Sequence, residues 1–180
     1  MGEGIADRPP DAEEVASAHP ARRRTVILAG LVGALVLAVD QGTKAWAHAG
    51  LAAGQETNVI HGWLWFRLLR NTGATLGLLS GHSQLVGTLS LVIVAFLAVL
   101  VLQAAPGGTG GVIGLGMVIG GASSNLIDRV RLGAVTDFIE VHLWPTNFNL
   151  ADLAIRAGVV VFLLSLLIEV LAGSRRGRRR

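Results

Sequence analysis

Long apolar runs alternate with short polar segments along this chain. Four of the runs approach or exceed the ~20 residues that a helix needs to cross the hydrocarbon core of a bilayer. They cover roughly residues 25–47, 85–103, 110–127 and 153–172. The segment AAPGGTGG separates the second run from the third, and a short Pro/Gly turn is typical of a helical hairpin. The pattern therefore predicts four transmembrane helices.

The distribution of charge supports a membrane protein. Between Asn71 and Ile127 the sequence contains no Asp, Glu, Lys or Arg, and the whole chain is 52% hydrophobic and only 15% charged. A soluble domain needs charged side chains over its surface, whereas the lipid-facing surface of a membrane protein does not. The charge pattern therefore argues against a soluble enzyme.

Basic residues concentrate at both ends of the predicted membrane domain. Arg22, Arg23 and Arg24 precede the first span, and the final segment SRRGRRR carries five arginines. Clustered arginines also suit nucleic acid, but beside apolar spans they indicate cytoplasmic anchors, so we predict no nucleic-acid partner. Both termini are therefore predicted in the cytoplasm, which requires an even number of spans. The last arginines are expected to lie against anionic lipid of the inner leaflet.

This topology places residues 48–82 and 129–150 on the outer side of the membrane. The segment TNVIHGWLWFRLLRN is rich enough in aromatic and β-branched residues to form short strands on the membrane surface. All four tryptophans fall at or beyond the outer interface, where amphipathic rings are favoured. The predicted fold class is an all-α membrane protein with four transmembrane helices and a small extracytoplasmic β element.

The chain divides into one membrane domain and two tails. Residues 1–24 are rich in Pro, Ala and acidic residues and are predicted to form a disordered cytoplasmic tail. Residues 25–172 form the four-span domain, and residues 173–180 form a basic cytoplasmic tail. An alternative for the first span is a cleaved signal peptide, RRRTVILAGLVGALVLAV followed by AWAHA. Against cleavage, the polar stretch DQGTK intervenes and the polar segment before the arginines is long.

Nine polar residues near the ends of the spans need an explanation, because charged and polar side chains are costly at a membrane. On the predicted topology all nine lie near the outer boundary, and a four-helix bundle brings such helix ends together. We therefore predict one shared polar site at the outer face. Its members are Asp40, Lys44, Asn71, Asn125, Asp128, Arg129, Asp137, Asn149 and Asp152.

Asp137 in GAVTDFIEV and Asp152 in NFNLADLAI are the candidate catalytic pair. Close paired carboxylates share one proton, because two like charges in contact cannot both ionise. The ionised member then acts as general base on a water molecule, while the protonated member polarises a carbonyl group. Such a pair hydrolyses a peptide bond without a metal or a cofactor.

A metal site is the alternative use of these carboxylates. The five histidines show no ligand spacing such as HExxH, no third carboxylate is tightly clustered with the pair, and the chain contains no Cys. The sequence also lacks a Gly-rich phosphate loop with a following Lys and a GxSxG turn. We predict neither a metal nor a cofactor.

Structural roles remain open for the residues around the fourth span. Asn149 and Asp152 form an N-x-x-D pattern that is typical of a helix cap. Asp152 and Arg156 are spaced for an ion pair on one helical face. From Asp152 alone, capping and catalysis are about equally supported.

The same holds for the other charged residues. Asp40 and Lys44 are four residues apart and suit a helix-terminal ion pair. Asp128 and Arg129 are expected to order the site through an ion pair or a hydrogen-bonded clamp. Asn71, in RNTGAT, is typical of a turn.

Four sequence blocks resemble, in order and spacing, the conserved blocks of bacterial lipoprotein signal peptidase (signal peptidase II). They are DQGTK (40–44), RNTGATLG (70–77), GGASSNLIDRVRLGAVTDF (120–138) and FNLAD (148–152). The resemblance covers essentially everything from the first span to the fourth. It implies an aspartic endopeptidase of the bacterial cytoplasmic membrane with its active site near the outer face. Such enzymes remove the signal peptide from prolipoproteins whose lipobox cysteine carries diacylglyceryl.

The resemblance also assigns roles to the nine polar residues. It implies that Asp137 and Asp152 are catalytic and that the other seven shape the substrate groove and hold the pair. The implied partners are lipid-modified prolipoproteins, membrane lipids and globomycin-type inhibitors, since globomycin occupies the groove as a mimic of the tetrahedral intermediate. Leu76 departs from a common Phe, and Ser124 departs from the usual Gly before the Asn.

Two other classes of protein remain possible from the residues alone. A small transporter or channel would use Asp137 and Asp152 as a proton or ion relay. A membrane scaffold would use the outer charges to bind a partner domain. Neither class explains why four separate segments match one enzyme family.

Overall fold

The computed structural model describes residues 12–51, 55–73, 79, 81–103, 106–144 and 146–177. Four helices and three strands follow each other along the chain. They are α1 (Ala12–Gly50), β1 (Glu56–Ile60), β2 (Leu64–Asn71), α2 (Ser83–Leu102), α3 (Gly108–Leu132), β3 (Val135–Val141) and α4 (Leu150–Gly177).

Every helix contains a stretch that is long and apolar enough to cross a membrane. These stretches are Arg22–Gly50, Ser83–Leu102, Gly108–Leu132 and Leu150–Ser174. Many large apolar side chains on the helices point outwards, including Leu31, Phe96 and Ile168, which are 60–66% exposed. A helix surface of this kind is suited to lipid. The predicted fold class, four transmembrane helices with a small sheet, is confirmed.

The first and last helices extend further than the sequence predicted. Helix α1 begins at Ala12, where a disordered tail was predicted over residues 1–24; residues 1–11 lie outside the described residues. Helix α4 likewise continues to Gly177, into the basic tail predicted over residues 173–180. Ala, Glu and Arg are strong helix formers. A helix already nucleated in the span adds such residues without a new nucleation step.

Helix α3 is the centre of the bundle. In α3, 56% of the most apolar stretch of the span is buried inside the protein. The corresponding share is 17% in α1 and in α2 and 6% in α4. Glycines allow its neighbours to approach on two faces. A Cβ at Gly120 would lie 2.8 Å from the Cα of Gly33 in α1, and a Cβ at Gly114 would lie 2.6 Å from the carbonyl oxygen of Gly158 in α4. Small residues at close helix contacts are typical of membrane bundles.

Adjacent helices run in opposite directions. At one end, Arg22 near the start of the first span donates to the carbonyl of Leu102 at the end of α2, at 2.7 Å. At the same end, the N–H of Gly107 before α3 donates to Glu169 near the end of α4, at 2.5 Å. The start of α1 and the end of α4 therefore share one end of the bundle.

The sheet covers the opposite end of the bundle. Its strands are antiparallel in the order β1-β2-β3, and Leu69 of β2 is paired with Asp137 of β3. Helix α3 ends at Leu132 and is capped by Gly133, whose φ of 72° lies in the left-handed region. Glycine adopts this conformation without the steric cost of a side chain, so the chain turns sharply into β3. This turn brings Asp137 back over the helix end that it has just left.

Replacing Gly120 with alanine is expected to destabilise the protein by about 1–3 kcal/mol, because the new methyl group would meet the backbone of Gly33. Thermal unfolding of the purified protein in detergent measures this loss. Gly30→Ala is the matched control, since a Cβ there meets nothing within 4 Å. Equal losses for the two variants would contradict the close approach of α1 and α3.

Candidate active site

Buried polar side chains fill the end of the bundle beneath the sheet. Each needs hydrogen-bond partners, because an unsatisfied buried polar group costs about 1–3 kcal/mol. They come from α1, α3, β3 and the start of α4. The buried set is Asp40, Lys44, Ser124, Asn125, Asp128, Thr136, Asp137 and Asn149.

Lys44 lies at the centre of a buried network of charges. Its Nζ is 2.7 Å from Oδ2 of Asp40 and 3.1 Å from Oδ2 of Asp128. It also donates to Oδ1 of Asn125, at 2.8 Å. The spacing of Asp40 and Lys44 predicted a helix-terminal ion pair, and this pair is present. The second carboxylate, from α3, joins the two helices through a single ammonium group.

Further hydrogen bonds fix the two carboxylates of this network. Gln41 Nε2 donates to Oγ of Ser124 at 2.9 Å and to Oδ1 of Asp128 at 3.0 Å. Ser124 Oγ donates to Oδ2 of Asp40 at 2.7 Å. The other oxygen of Asp40 accepts the N–H of Ala151, at 2.7 Å. Asp40 therefore ties α1 to both α3 and the start of α4.

Asp128 and Arg129 were expected to order the site through an ion pair or a hydrogen-bonded clamp. Asp128 forms an ion pair with Lys44, and its Oδ2 accepts the backbone N–H of Thr136 at 2.9 Å. Arg129 Nη2 donates to the carbonyl of Gly73, at 2.8 Å. No ion pair between the described residues joins Asp128 to Arg129, because consecutive residues on a helix point in different directions.

Asp137 is 2% exposed and receives one amide donor on each oxygen. Asn149 Nδ2 donates to its Oδ1 at 2.8 Å, and Asn71 Nδ2 donates to its Oδ2 at 2.9 Å. Burial, together with the nearby charge of Asp152, raises the pKa of Asp137 to about 7, although the two amide hydrogen bonds oppose the rise. This carboxyl group is therefore able to hold a proton near neutral pH.

Asp152 lies in the first turn of α4, beside Asp137. Its backbone N–H donates to Oδ1 of Asn149 at 2.9 Å, so the predicted N-x-x-D helix cap is present. Its Oδ1 accepts Nδ2 of Asn125, at 2.8 Å. Since Nδ2 of Asn149 bonds Asp137, one asparagine caps the helix of one aspartate and holds the side chain of the other.

A cavity of about 160 Å³ opens beside Asp152. Asp152, Asn71, Asn125 and Arg129 supply polar groups to its wall. Val86 and Ser90 of α2, Ala122 of α3, Val135 of β3 and Ile155 of α4 supply most of the remainder. The cavity has room for a water molecule and part of an extended peptide next to the Asp152 carboxylate.

Arg156 does not form the ion pair with Asp152 that its spacing suggested. Its guanidinium lies over the rings of Trp144 and Phe148, 5.1 Å and 5.7 Å from the ring centres. Among the ion pairs between described residues, none joins Arg156 to Asp152. The aromatic rings come from the β3–α4 connection, whose path a helical spacing rule does not describe.

The structure brings all nine polar residues of the predicted site together at one end of the bundle. It adds Gln41 and Thr136, which the sequence did not single out. Gln41 lies in the DQGTK block one residue after Asp40, so its position was a usable signal. Thr136 acts through its backbone, which leaves no signal in the sequence. Leu76, one of the two departures from the family pattern, lies outside the described residues.

A group of three or more His, Cys, Asp or Glu side chains placed to hold a metal ion is not found among the described residues. The charged core of the site is instead neutralised by Lys44. Its three contacts, to Asp40, Asp128 and Asn125, take up all three donors of the ammonium group.

Two solved bacterial membrane enzymes have a similar fold. One, determined by the in meso method at 2.3 Å resolution, matches with a TM-score of 0.72 and 29% identity over 79% of this chain and 88% of that one. The other, determined at 1.9 Å, matches with a TM-score of 0.69 and 29% identity over 77% of this chain and 92% of that one. Fold and site together define a four-helix bacterial membrane enzyme.

The sequence comparisons specify the family within that class. Residues 32–168 match the family model of signal peptidase (SPase) II. The lipoprotein signal peptidase of Pelotomaculum thermopropionicum is 36% identical over 149 residues, which are 83% of this chain and 97% of that protein. The one from Bifidobacterium longum subsp. infantis is 39% identical over 154 residues, 82% of each chain. This chain belongs to the signal peptidase II family and is a peptidase, which decides against the transporter and scaffold alternatives.

Replacing Lys44 with methionine is expected to lower the free energy of unfolding by about 3–5 kcal/mol, because two buried carboxylates lose their counter-ion. Thermal unfolding in detergent measures the change. Glu56→Gln is the control, since it removes an exposed ion pair with Arg67 and is expected to cost less than about 1 kcal/mol. A loss for Lys44→Met no larger than for the control would show that the buried network does not hold the site.

Proposed function

We propose that this protein is an aspartic endopeptidase that removes the signal peptide from diacylglyceryl-modified prolipoproteins, cutting before the lipidated cysteine. The observation that carries the proposal is that Asn149 holds both aspartates, because it donates to Asp137 and accepts the N–H of Asp152. Asp152 lines the cavity, and so does Asn71, which donates to Asp137. The relatives named lipoprotein signal peptidase support the choice of substrate.

The reaction uses one ionised and one protonated aspartate. The ionised carboxylate removes a proton from water, and the resulting hydroxide attacks the scissile carbonyl carbon. The protonated carboxyl group donates its proton to the carbonyl oxygen, which gives a neutral tetrahedral intermediate. The first aspartate then delivers its newly acquired proton to the leaving nitrogen as the C–N bond breaks. The second recovers its proton from the intermediate, so the pair returns to its starting state.

The seven other polar residues support this chemistry in three ways. Asn71, Asn125 and Arg129 line the cavity and are placed to bind the substrate backbone. Asn149 joins the two aspartates. The charges of the Lys44 network lie behind the pair and hold α1, α3 and α4 in register. This last group is Asp40, Lys44 and Asp128.

We propose that the protein lies in the bacterial cytoplasmic membrane with both termini in the cytoplasm and the active site near the outer face. The start of α1 and the end of α4 share one end of the bundle, and Arg22 to Arg24 mark that end as cytoplasmic by the positive-inside rule. The opposite end carries the half-exposed rings of Trp46, Trp63 and Trp144, which suit an interface.

Asp137→Asn and Asp152→Asn are each expected to reduce cleavage at least about a hundredfold, because each removes a proton acceptor or donor from the reaction. A gel-shift assay in detergent with diacylglyceryl-modified prolipoprotein measures the rate. Glu140→Gln is the matched control, since Glu140 lies on the same strand as Asp137 but points towards Arg67 and Asn147. If a folded aspartate variant cleaves as fast as this control, that aspartate is not catalytic.

Precursor without the diacylglyceryl group is expected to be a poor substrate. Each buried methylene of the two acyl chains contributes roughly 0.8 kcal/mol to holding the substrate in the bilayer beside the site. The comparison is made with the same prolipoprotein, modified and unmodified, in lipid vesicles containing the enzyme. Globomycin is expected to inhibit cleavage of the modified form. Equal rates on the two precursors would contradict the proposed substrate while leaving the peptidase activity in place.

A further inference from the structure

Arg156 is a charged residue of a membrane span that has no part in the reaction described so far. It lies in Leu150–Ser174, one helical turn after Asp152. A charge at such a position is costly unless it has a partner or a function. The rings of Trp144 and Phe148 satisfy it in part by cation–π contact. Rings stabilise the cation but, unlike a carboxylate, do not cancel its charge.

The aromatic contacts also fix where that charge lies. Trp144 and Phe148 belong to the connection that leads from β3 into α4, and Phe148 is bonded to Ile139 of β3 through backbone hydrogen bonds of 2.9 and 3.0 Å. The guanidinium is therefore held against the start of α4, one helical turn from Asp152.

The cations around the two aspartates differ in which aspartate they act on. Lys44 of α1 and Arg129 of α3 act on both Asp137 and Asp152. Each aspartate also repels a second charge on the other. Helix α2 carries no charged residue. Arg156 differs from both cations because it shares α4 with Asp152 and lies four residues after it, a spacing at which side chains on one helical face interact.

We propose that Arg156 selects Asp152 as the ionised aspartate of the pair, so that Asp152 is the general base and Asp137 carries the proton. The proposal rests on the proposed function of the pair. A fixed positive charge nearby favours the carboxylate over the carboxylic acid. Asp137 is 2% exposed whereas Asp152 is partly exposed, so loss of contact with water opposes ionisation more strongly at Asp137. Arg156 acts through Asp152 and is a positioning residue.

The test is the pH dependence of kcat/KM for cleavage of modified prolipoprotein by the full-length enzyme in detergent. Wild type is compared with Arg156→Gln, Arg156→Met and Arg156→Lys. Loss of the positive charge is expected to move the acid limb of the profile upwards by roughly one pH unit, a loss of up to about tenfold on that limb. Arg156→Lys keeps the charge and is expected to keep the wild-type limb.

Arg131→Gln is the matched control, because it removes an exposed arginine from the same end of the bundle. Its acid limb is expected to coincide with that of wild type. A partly unfolded variant lowers the whole profile without moving a limb, so weak folding does not imitate the expected result. Two neutral variants are used so that the shift does not depend on either one.

Two results would overturn the proposal. One is an unchanged acid limb in both Arg156→Gln and Arg156→Met. The other is an equal shift in Arg156→Lys, which would assign the effect to packing on the rings. Failure of the proposed function is a separate outcome, because inactive wild type or active Asp137→Asn would reveal it whatever the Arg156 variants do.

Discussion

The ammonium group of Lys44, buried between Asp40 and Asp128, is the interaction on which the rest of the site depends. Burying three charges is costly, and only close contacts and full hydrogen bonding offset the cost. The two carboxylates meet this requirement by accepting backbone N–H groups as well: Asp40 from Ala151 and Asp128 from Thr136. Those N–H groups belong to the first residues of α4 and β3. The groups that neutralise Lys44 therefore also fix the two elements that carry Asp152 and Asp137.

Asparagine side chains connect this charged network to the aspartate pair. Asn125 accepts a hydrogen bond from Lys44 and donates one to Asp152, while Asn149 accepts one from Asp152 and donates one to Asp137. An amide offers an acceptor and two donors but carries no charge. The asparagines thus hold the aspartates in place relative to the Lys44 network without adding a full charge beside the pair. A lysine in direct contact would favour ionisation of whichever aspartate it touched.

The sequence was sufficient for the spans and for nine members of the polar site, although not for Gln41 and Thr136. In a chain this apolar, composition alone marks a span, and every polar residue near a span end is conspicuous. It was insufficient where a contact depends on the path of a connection or on the backbone. Arg156 had the spacing to pair with Asp152, but the rings of Trp144 and Phe148 lie over it instead. Ser124 looked like a small residue replacing glycine, yet its hydroxyl bonds Asp40 and Gln41.

Helix packing and site chemistry are linked through α3. Its glycines meet α1 and α4 along the apolar part of the bundle, and the same three helices supply buried polar and charged groups at the end covered by the sheet. Hydrogen bonds of 2.7–3.1 Å between Asp40, Lys44 and Asp128 tolerate little displacement, because charged contacts weaken as they lengthen and the groups are out of reach of water. A residue larger than glycine where α3 meets α1 or α4 would push these helices apart and lengthen the contacts of Lys44 with Asp40 and Asp128. The close helix packing that the glycines allow is therefore also what the buried ion pairs require.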